Sequence, residues 1–225
     1  MKYDLEVNAK KIKAFREITV KYYNEEGRHH FPWRKTNDPW KILLAEMLLR
    51  KTTAVQAESK YSQLSEYSPA ELRDVPQEAL EDILKPLGIY KERARLLKLV
   101  GEAVAKKGEE KLSEWDFLIK LPGVGPYAAS MVLATALNQR KPGLDRNMIR
   151  VLERVFSISS PKDRPHMDKD LWDTAEELMP EQDFKAYNWG VMDLAAAVCR
   201  PKNPLCRECM MISICNYAAD LIAGE

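Results

Sequence analysis

The sequence predicts an all-α protein. Apolar residues recur at the three- to four-residue spacing of an amphipathic helix through most of the chain. The first set is Ile12, Phe15, Ile18 and Tyr22. Glycine and proline separate these segments, as they do where helices end and begin. We find no convincing run that alternates apolar and polar residues as a strand does, and no internal repeat.

The N-terminal helix is expected to end at Gly27, ahead of a polar and aromatic loop over 28–37. Asp38 followed by Pro39 is typical of an N-cap and a first helical residue. This pair opens a mostly apolar helix over 40–50, which predicts that the helix is buried.

The same spacing predicts most of the remaining helices. They cover 53–67, two short segments that start at Pro69 and Pro76, 92–106, and three stretches between Gly143 and Val198. Ser113 and Asp116 form a pattern similar to a capping box, which predicts a further helix start.

A chain of 225 residues, 45% of them hydrophobic, forms one large domain or two small lobes. No apolar run reaches the length of a transmembrane helix. Residues 1–13 are charged throughout and contain no apolar signal segment. We therefore expect a cytoplasmic protein without a membrane role, associated with the nucleoid if the source is a prokaryote.

The net charge is only +1, so any preference for nucleic acid must come from local clusters of basic residues. One cluster consists of Arg140, Lys141, Arg146, Arg150 and Arg154. A second set lies among the cysteines and consists of Arg200, Lys202 and Arg207. Such residues either face phosphates or form a solvated surface.

All four cysteines lie near the end of the sequence. They are Cys199, Cys206, Cys209 and Cys215, in the pattern C-x6-C-x2-C-x5-C. Four thiols in one short segment can hold a zinc ion or an iron–sulfur cluster. Zinc sites usually have two C-x2-C pairs, so a single pair with two widely spaced cysteines favours the larger cluster. Two disulfides are the third possibility and need an oxidising compartment.

A glycine-containing turn separates two helical patterns at Leu121-Pro122-Gly123-Val124-Gly125. Such a turn directs backbone N–H groups outward, and the helix that starts at Pro126 adds its own N-terminal amides. The segment is therefore either a phosphate site or only a connection between two helices.

Three motifs in this order resemble those of the helix-hairpin-helix DNA glycosylases related to endonuclease III. They are the hairpin 121–125, the segment Leu144-Asp145-Arg146-Asn147 and the cysteine pattern. The resemblance covers nearly the whole chain and includes 31–34, 44–52 and 192–194. It implies a two-lobed fold, with a six-helix barrel lobe over 27–139 and an iron–sulfur cluster lobe made of 1–26 and 140–225.

The resemblance also assigns ligands and contacts. It implies a [4Fe–4S] cluster on the four cysteines and double-stranded DNA in a cleft between the lobes. The hairpin residues Leu121, Gly123, Val124 and Gly125 are expected to contact the DNA backbone. Arg200 and Lys202 are expected to contact phosphates from the loop after Cys199.

Asp145 matches the catalytic aspartate of this family. A carboxylate beneath the sugar stabilises the positive charge that develops when the base leaves, and Asp145 is also expected to cap the helix that starts at Arg146. Asn147 matches an asparagine that positions water or phosphate. The bifunctional members carry a lysine where this chain has Tyr127, and a phenol cannot form their imine. The resemblance therefore implies a monofunctional enzyme.

The enzyme must also extrude the base and fill the space that it leaves. Arg50, Lys51 and Ile89 match the inserting positions, and Arg50 or Lys51 could read the O6 edge of guanine. Glu46 matches the general acid of adenine glycosylases but also occurs in thymine glycosylases.

Tyr127 and Arg50-Lys51-Thr52-Thr53 resemble the thymine glycosylase branch, which acts on T/G and U/G mismatches. We therefore expect a monomer that removes thymine or uracil opposite guanine. The alternatives are an adenine glycosylase acting on A/G or A/8-oxoguanine, and a non-catalytic DNA-binding module. The sequence stops soon after Cys215, without the extra domain that adenine glycosylases use to read 8-oxoguanine. This favours the removal of thymine or uracil over the removal of adenine.

Overall fold

The computed structural model describes residues 9–223, and every regular element within them is helical. The all-α prediction is therefore confirmed. In chain order the helices are α1 (Ala9–Glu26), α2 (Pro39–Leu48), α3 (Ala54–Leu64), α4 (Pro69–Asp74), α5 (Gln77–Leu84), α6 (Tyr90–Lys107), α7 (Trp115–Leu118), α8 (Pro126–Ala136), α9 (Arg146–Phe156), α10 (Lys169–Glu177), α11 (Phe184–Ala197) and α12 (Asn216–Ala223).

The chain divides into two compact units. One is formed by Met1–Arg28 together with Arg140–Glu225, and the other by His29–Gln139. The second unit contains α2 to α8, which is seven α-helices rather than the expected six. The additional one is the four-residue α7. None of the helices within residues 9–223 is long and apolar enough to cross a membrane.

Local capping explains where several helices begin. The Asp38 carboxylate accepts hydrogen bonds from the backbone N–H groups of Trp40 at 2.8 Å and Lys41 at 3.2 Å, which confirms the predicted N-cap. Thr53 opens α3 with a capping box. Such caps satisfy N–H groups that have no partner within the helix.

The predicted capping box at Ser113 is wrong. The Ser113 hydroxyl donates back to the carbonyl of Glu110 at 2.6 Å, at the end of a 3₁₀ turn over Glu109–Ser113. Glu114 is the N-cap residue of α7, and no side chain caps it. The serine hydroxyl therefore forms a hydrogen bond within the preceding turn and does not cap α7. Short polar side chains often have such alternative local partners.

The core of the unit His29–Gln139 is built around α2. Eight of its ten residues are buried, and it packs against α8, which is also largely buried. Helix α6 packs against α4 and α5. A helix that is apolar on almost all sides must be enclosed by others, and so α2 is held rigidly.

The core of the other unit joins α1, α9 and α11. Phe15 of α1 makes edge-to-face contacts with Phe156 and Tyr187, with ring centroids 5.0 and 5.9 Å away. Helices α1 and α11 approach closely because Gly190 has no side chain, and a Cβ there would collide with the Thr19 carbonyl. Helix α9 also packs against α12, a helix that we had not predicted.

Candidate functional site

Asp145 is the N-cap residue of α9. Its carboxylate accepts three hydrogen bonds: from the N–H of Asn147 at 2.8 Å, from the N–H of Met148 at 2.9 Å and from the side-chain amide of Asn147 at 2.7 Å. The predicted capping role is confirmed. The helix N-terminus also stabilises negative charge at this point.

Burial and hydrogen bonding act on the Asp145 carboxyl in opposite directions. Burial raises its pKa above the ordinary value for aspartate, whereas the three hydrogen bonds and the nearby charge of Arg150 lower it. Burial is the largest of these effects, so the pKa remains raised. A carboxylate in such a position interacts strongly with a positive charge that develops beside it.

A chain of hydrogen bonds leads from Asp145 to the first cysteine. Arg150 donates to the side-chain oxygen of Asn147 at 3.1 Å. The same guanidinium donates to the carbonyl of Cys199 at 2.8 Å and to that of Ala195 at 3.0 Å. The carboxylate and the cysteine segment are therefore connected through two side chains of one unit.

The four cysteines line a single pocket, together with Val151, Leu194 and Met211 among others. All four are free thiols, so the structure contains neither of the two disulfides that the sequence allowed. Within residues 9–223, no three His, Cys, Asp or Glu side chains form a group that could hold a metal ion.

Burial also raises the pKa of three of these thiols. The largest effect is on Cys209, whose pKa rises to about 11 because of partial burial and the electrostatic effect of the other three cysteines. The pKa values of Cys206 and Cys215 are also raised. Thiols in this environment become thiolates when a positively charged group binds them.

Much of the basic segment 140–154 is paired inside its own unit. Arg154 donates to the carbonyls of Arg200 at 2.8 Å and Pro201 at 3.1 Å, and it contacts Cys199 Sγ at 3.4 Å. Lys141 pairs with Glu176 at 3.5 Å. Arg154 therefore supports the loop that carries the cysteines, whereas Lys141 pairs with α10.

The hairpin 121–125 forms the predicted turn before α8. The Val124 N–H donates to the carbonyl of Leu121 at 3.1 Å, and the apolar side chains of both residues are buried. Gly123 has φ +78°, a conformation that favours glycine. Gly125 is the N-cap of α8, and both glycines are exposed. The hairpin therefore presents its turn and a helix N-terminus to solvent.

The predicted inserting residues occupy two loop tips in the same unit as the hairpin. Arg50 and Lys51 follow α2, and Ile89 precedes α6. All three are exposed. The Arg50 side chain also extends toward the hairpin. Its Nη1 atom lies 2.8 Å from the position that a Cβ on Gly123 would occupy.

Glu46 and Tyr127 lie on the two helices at the centre of that unit. Glu46 is on α2 and is only 7% exposed. Tyr127 is half-buried in the first turn of α8. Asp145, Asn147, Arg200, Lys202 and the cysteines all belong to the other unit.

Three arginines organise these elements in roles that the sequence did not indicate. Arg150 and Arg154 support the cysteine loop, and Arg93 is buried within α6. The burial of Arg93 is predictable from the sequence, because Arg93 shares a helical face with apolar residues. The buried members of that face are Arg93, Leu96, Leu97, Val100 and Val104.

Comparison with known families agrees with this fold. Residues 44–177 match the family described as the HhH-GPD superfamily base excision DNA repair protein. The chain therefore belongs to the helix-hairpin-helix superfamily of base excision DNA repair proteins.

Three individual proteins are similar to this chain over most of its length. A thymine/uracil-DNA glycosylase from Pyrobaculum aerophilum is 46% identical over 209 residues, which cover 90% of this chain and 91% of that protein. A thymine-DNA glycosylase from Aeropyrum pernix is 41% identical, with 92% and 95% covered. The solved structure of a thermostable thymine-DNA glycosylase superposes with a TM-score of 0.86 at 32% identity, covering 94% of this chain and 98% of that one.

Proposed function

We propose that this protein is a monofunctional DNA glycosylase that hydrolyses the N-glycosidic bond of thymine or uracil mispaired with guanine. The observation that carries the proposal is the Asp145 carboxylate, held by three hydrogen bonds at the N-terminus of α9. The similarity to thymine and thymine/uracil glycosylases over most of the chain supports the choice of base.

Asp145 supplies the electrostatic part of the reaction. Cleavage of the bond between base and sugar leaves positive charge on the sugar, and a fixed carboxylate stabilises it. The two backbone N–H groups and the Asn147 amide fix both carboxylate oxygens, so little reorganisation is needed as the charge develops. Water then adds to the sugar, and an abasic site remains.

Tyr127 supports the monofunctional assignment. It occupies the position at which bifunctional relatives carry a lysine, and its phenol cannot form an imine with the sugar. It lies half-buried beside the exposed hairpin, and an aromatic ring at this position would stack on an extruded base.

The spacing of the four cysteines and the resemblance to this superfamily support a [4Fe–4S] cluster, which would hold the C-terminal loop. They line one pocket and include all the thiols of the chain. Cys199, Cys206, Cys209 and Cys215 would each supply one thiolate, and the cluster would give the loop a fixed shape. Iron and acid-labile sulfide analysis of protein purified without oxygen tests this. We expect about four of each per chain, and zinc with no sulfide would contradict the assignment.

A panel of duplexes tests the proposed reaction. Duplexes with T/G, U/G, A/G and A/8-oxoguanine pairs are incubated with the protein and then either treated with hot alkali or analysed directly without heating. We expect strand breaks at T/G and U/G, and only after alkali. Breaks without alkali would contradict the monofunctional assignment, and breaks only at adenine would contradict the choice of base.

Asp145→Asn tests the mechanism. The amide keeps much of the shape but carries no charge, so excision should fall by at least about a thousandfold while DNA binding persists. Asp183→Asn is a matched control, since Asp183 lies in the same unit, at the start of α11. Normal excision by Asp145→Asn would overturn the mechanism, whereas loss of DNA retention in either variant would point to misfolding.

A further inference from the structure

Arg93 is a buried cation whose hydrogen bonds all go to backbone carbonyls. It lies near the start of α6 and is 3% exposed. Its guanidinium donates to the carbonyl oxygens of Leu48 at 3.0 Å and Arg50 at 2.7 Å, and also to that of Met47. A longer contact of 3.5 Å reaches the carbonyl of Leu87.

These carbonyls belong to two separate segments of the chain. One is the end of α2 with the turn that follows it, and the other is the 3₁₀ turn that precedes α6. Those of Met47 and Leu48 lie in the last turn of α2, where carbonyls have no partner within the helix. That of Arg50 lies in the turn that follows α2. That of Leu87 ends a 3₁₀ turn over Lys85–Leu87. One planar guanidinium therefore joins the end of α2 to the segment before α6.

Each of these two segments leads to an exposed residue with a strained backbone conformation. Lys51 has φ +52° and Ile89 has φ +42°, which is unfavourable for side chains with a Cβ and most so for a β-branched one. Ile89 is also 45% exposed despite being apolar. Strain of this kind persists only where the surroundings enforce it, and Arg93 contacts the residues that precede both tips.

The contacts of Arg50 separate its role from that of Lys51. Arg93 holds the Arg50 carbonyl, and the Arg50 guanidinium extends toward Gly123 of the hairpin. Arg50 is therefore directed toward the proposed phosphate contacts, and Lys51 is the residue at the tip.

We propose that Arg93 is the positioning residue that holds Lys51 and Ile89 in place for insertion into the duplex during base extrusion. The inference rests on the proposed glycosylase function. Two inserted side chains can fill the space left by a base only at a fixed separation, and a single buried guanidinium bonded to both loops fixes it.

A double-mutant cycle tests the inference. Arg93→Lys keeps the charge but loses the planar fork. We expect it to lower the single-turnover rate of thymine excision from a T/G duplex about tenfold. In a Lys51→Ala/Ile89→Ala background, where no tips remain to be positioned, the same substitution should change the rate by less than about twofold.

Arg95→Lys is the matched control, because Arg95 is an exposed residue of the same helix, paired with Glu92. It should leave the rate unchanged in both backgrounds. An equal loss from Arg93→Lys with and without the tips would overturn the proposal and indicate only a structural role. Excision by none of the proteins, the unaltered one included, would instead contradict the proposed function.

Hydrogen exchange on the unaltered protein tests the same idea without any substitution, and so does not depend on the variants folding. If one guanidinium holds both loops, the amides of 49–52 and 87–90 should open together, with the same opening free energy and denaturant dependence. Independent opening of the two segments would overturn the proposal.

Discussion

The chemistry of the site depends on how individual side chains are held. Asp145 is buried enough to raise its pKa, and yet its hydrogen bonds and Arg150 favour the charged form. The proposed mechanism needs the ionised carboxylate, so activity should fall as the pH decreases through the pKa of Asp145. That decline should begin at a higher pH than for an ordinary aspartate.

Arg150→Gln should move this decline to still higher pH. The charge of Arg150 lowers the pKa of Asp145, so its removal raises that pKa and protonates the carboxylate earlier. The single-turnover excision rate as a function of pH measures the shift. Arg146→Gln is the control, because Arg146 is exposed on the same helix. An unchanged profile in Arg150→Gln would show that the two groups are not coupled.

At the scale of elements, the conformation of the hairpin depends on its two glycines. Gly123 adopts a left-handed conformation, and a Cβ there would lie 2.8 Å from Arg50 Nη1 and 2.9 Å from Leu96 Cδ1. Gly125 has φ −103°, and a Cβ there would meet no atom within 4 Å. A side chain at position 123 would therefore collide with its neighbours, whereas one at position 125 would not.

Gly123→Ala should lower the free energy of unfolding by about 1–2 kcal/mol and weaken DNA binding, since the turn must shift to relieve the strain. Gly125→Ala should change stability by less than about 0.5 kcal/mol. Urea denaturation and duplex binding titrations measure both effects. Equal effects of the two substitutions would contradict the assignment of strain to Gly123.

At the scale of the whole molecule, affinity for DNA has to come from local patches, because the net charge is only +1. Much of the basic segment 140–154 is paired inside its own unit. The loop after Cys199 offers Lys202, which is exposed, and Arg200. Within residues 9–223 the buried Nε of Arg200 has no hydrogen-bond partner.

Arg200→Ala/Lys202→Ala should therefore weaken binding to all duplexes alike and flatten its salt dependence. Each lost phosphate contact reduces the slope of log K against log salt by roughly 0.9, so the double variant should lose about 1.8. Lys169→Ala is the control, as this lysine is exposed on α10 of the same unit. An unchanged slope in the double variant would exclude both residues from the phosphate contacts.

The sequence by itself determined the features that depend on neighbouring residues. The helical class, the caps at Asp38 and Asp145, and the hairpin turn were all predicted correctly, because each rests on contacts within a few residues. The same local reasoning failed at Ser113, where two local hydrogen bonds compete and the sequence does not indicate which is formed.

Only the tertiary structure decided how the cations are used. Arg93, Arg150 and Arg154 each donate hydrogen bonds to backbone carbonyls that lie more than forty residues away in the sequence. A carbonyl acceptor has no side-chain signature, so no sequence pattern reveals these pairs. Long-range hydrogen bonds therefore assign structural roles to arginines that a sequence analysis treats as surface or phosphate-binding residues: Arg93 at the end of α2, and Arg150 and Arg154 at the cysteine segment.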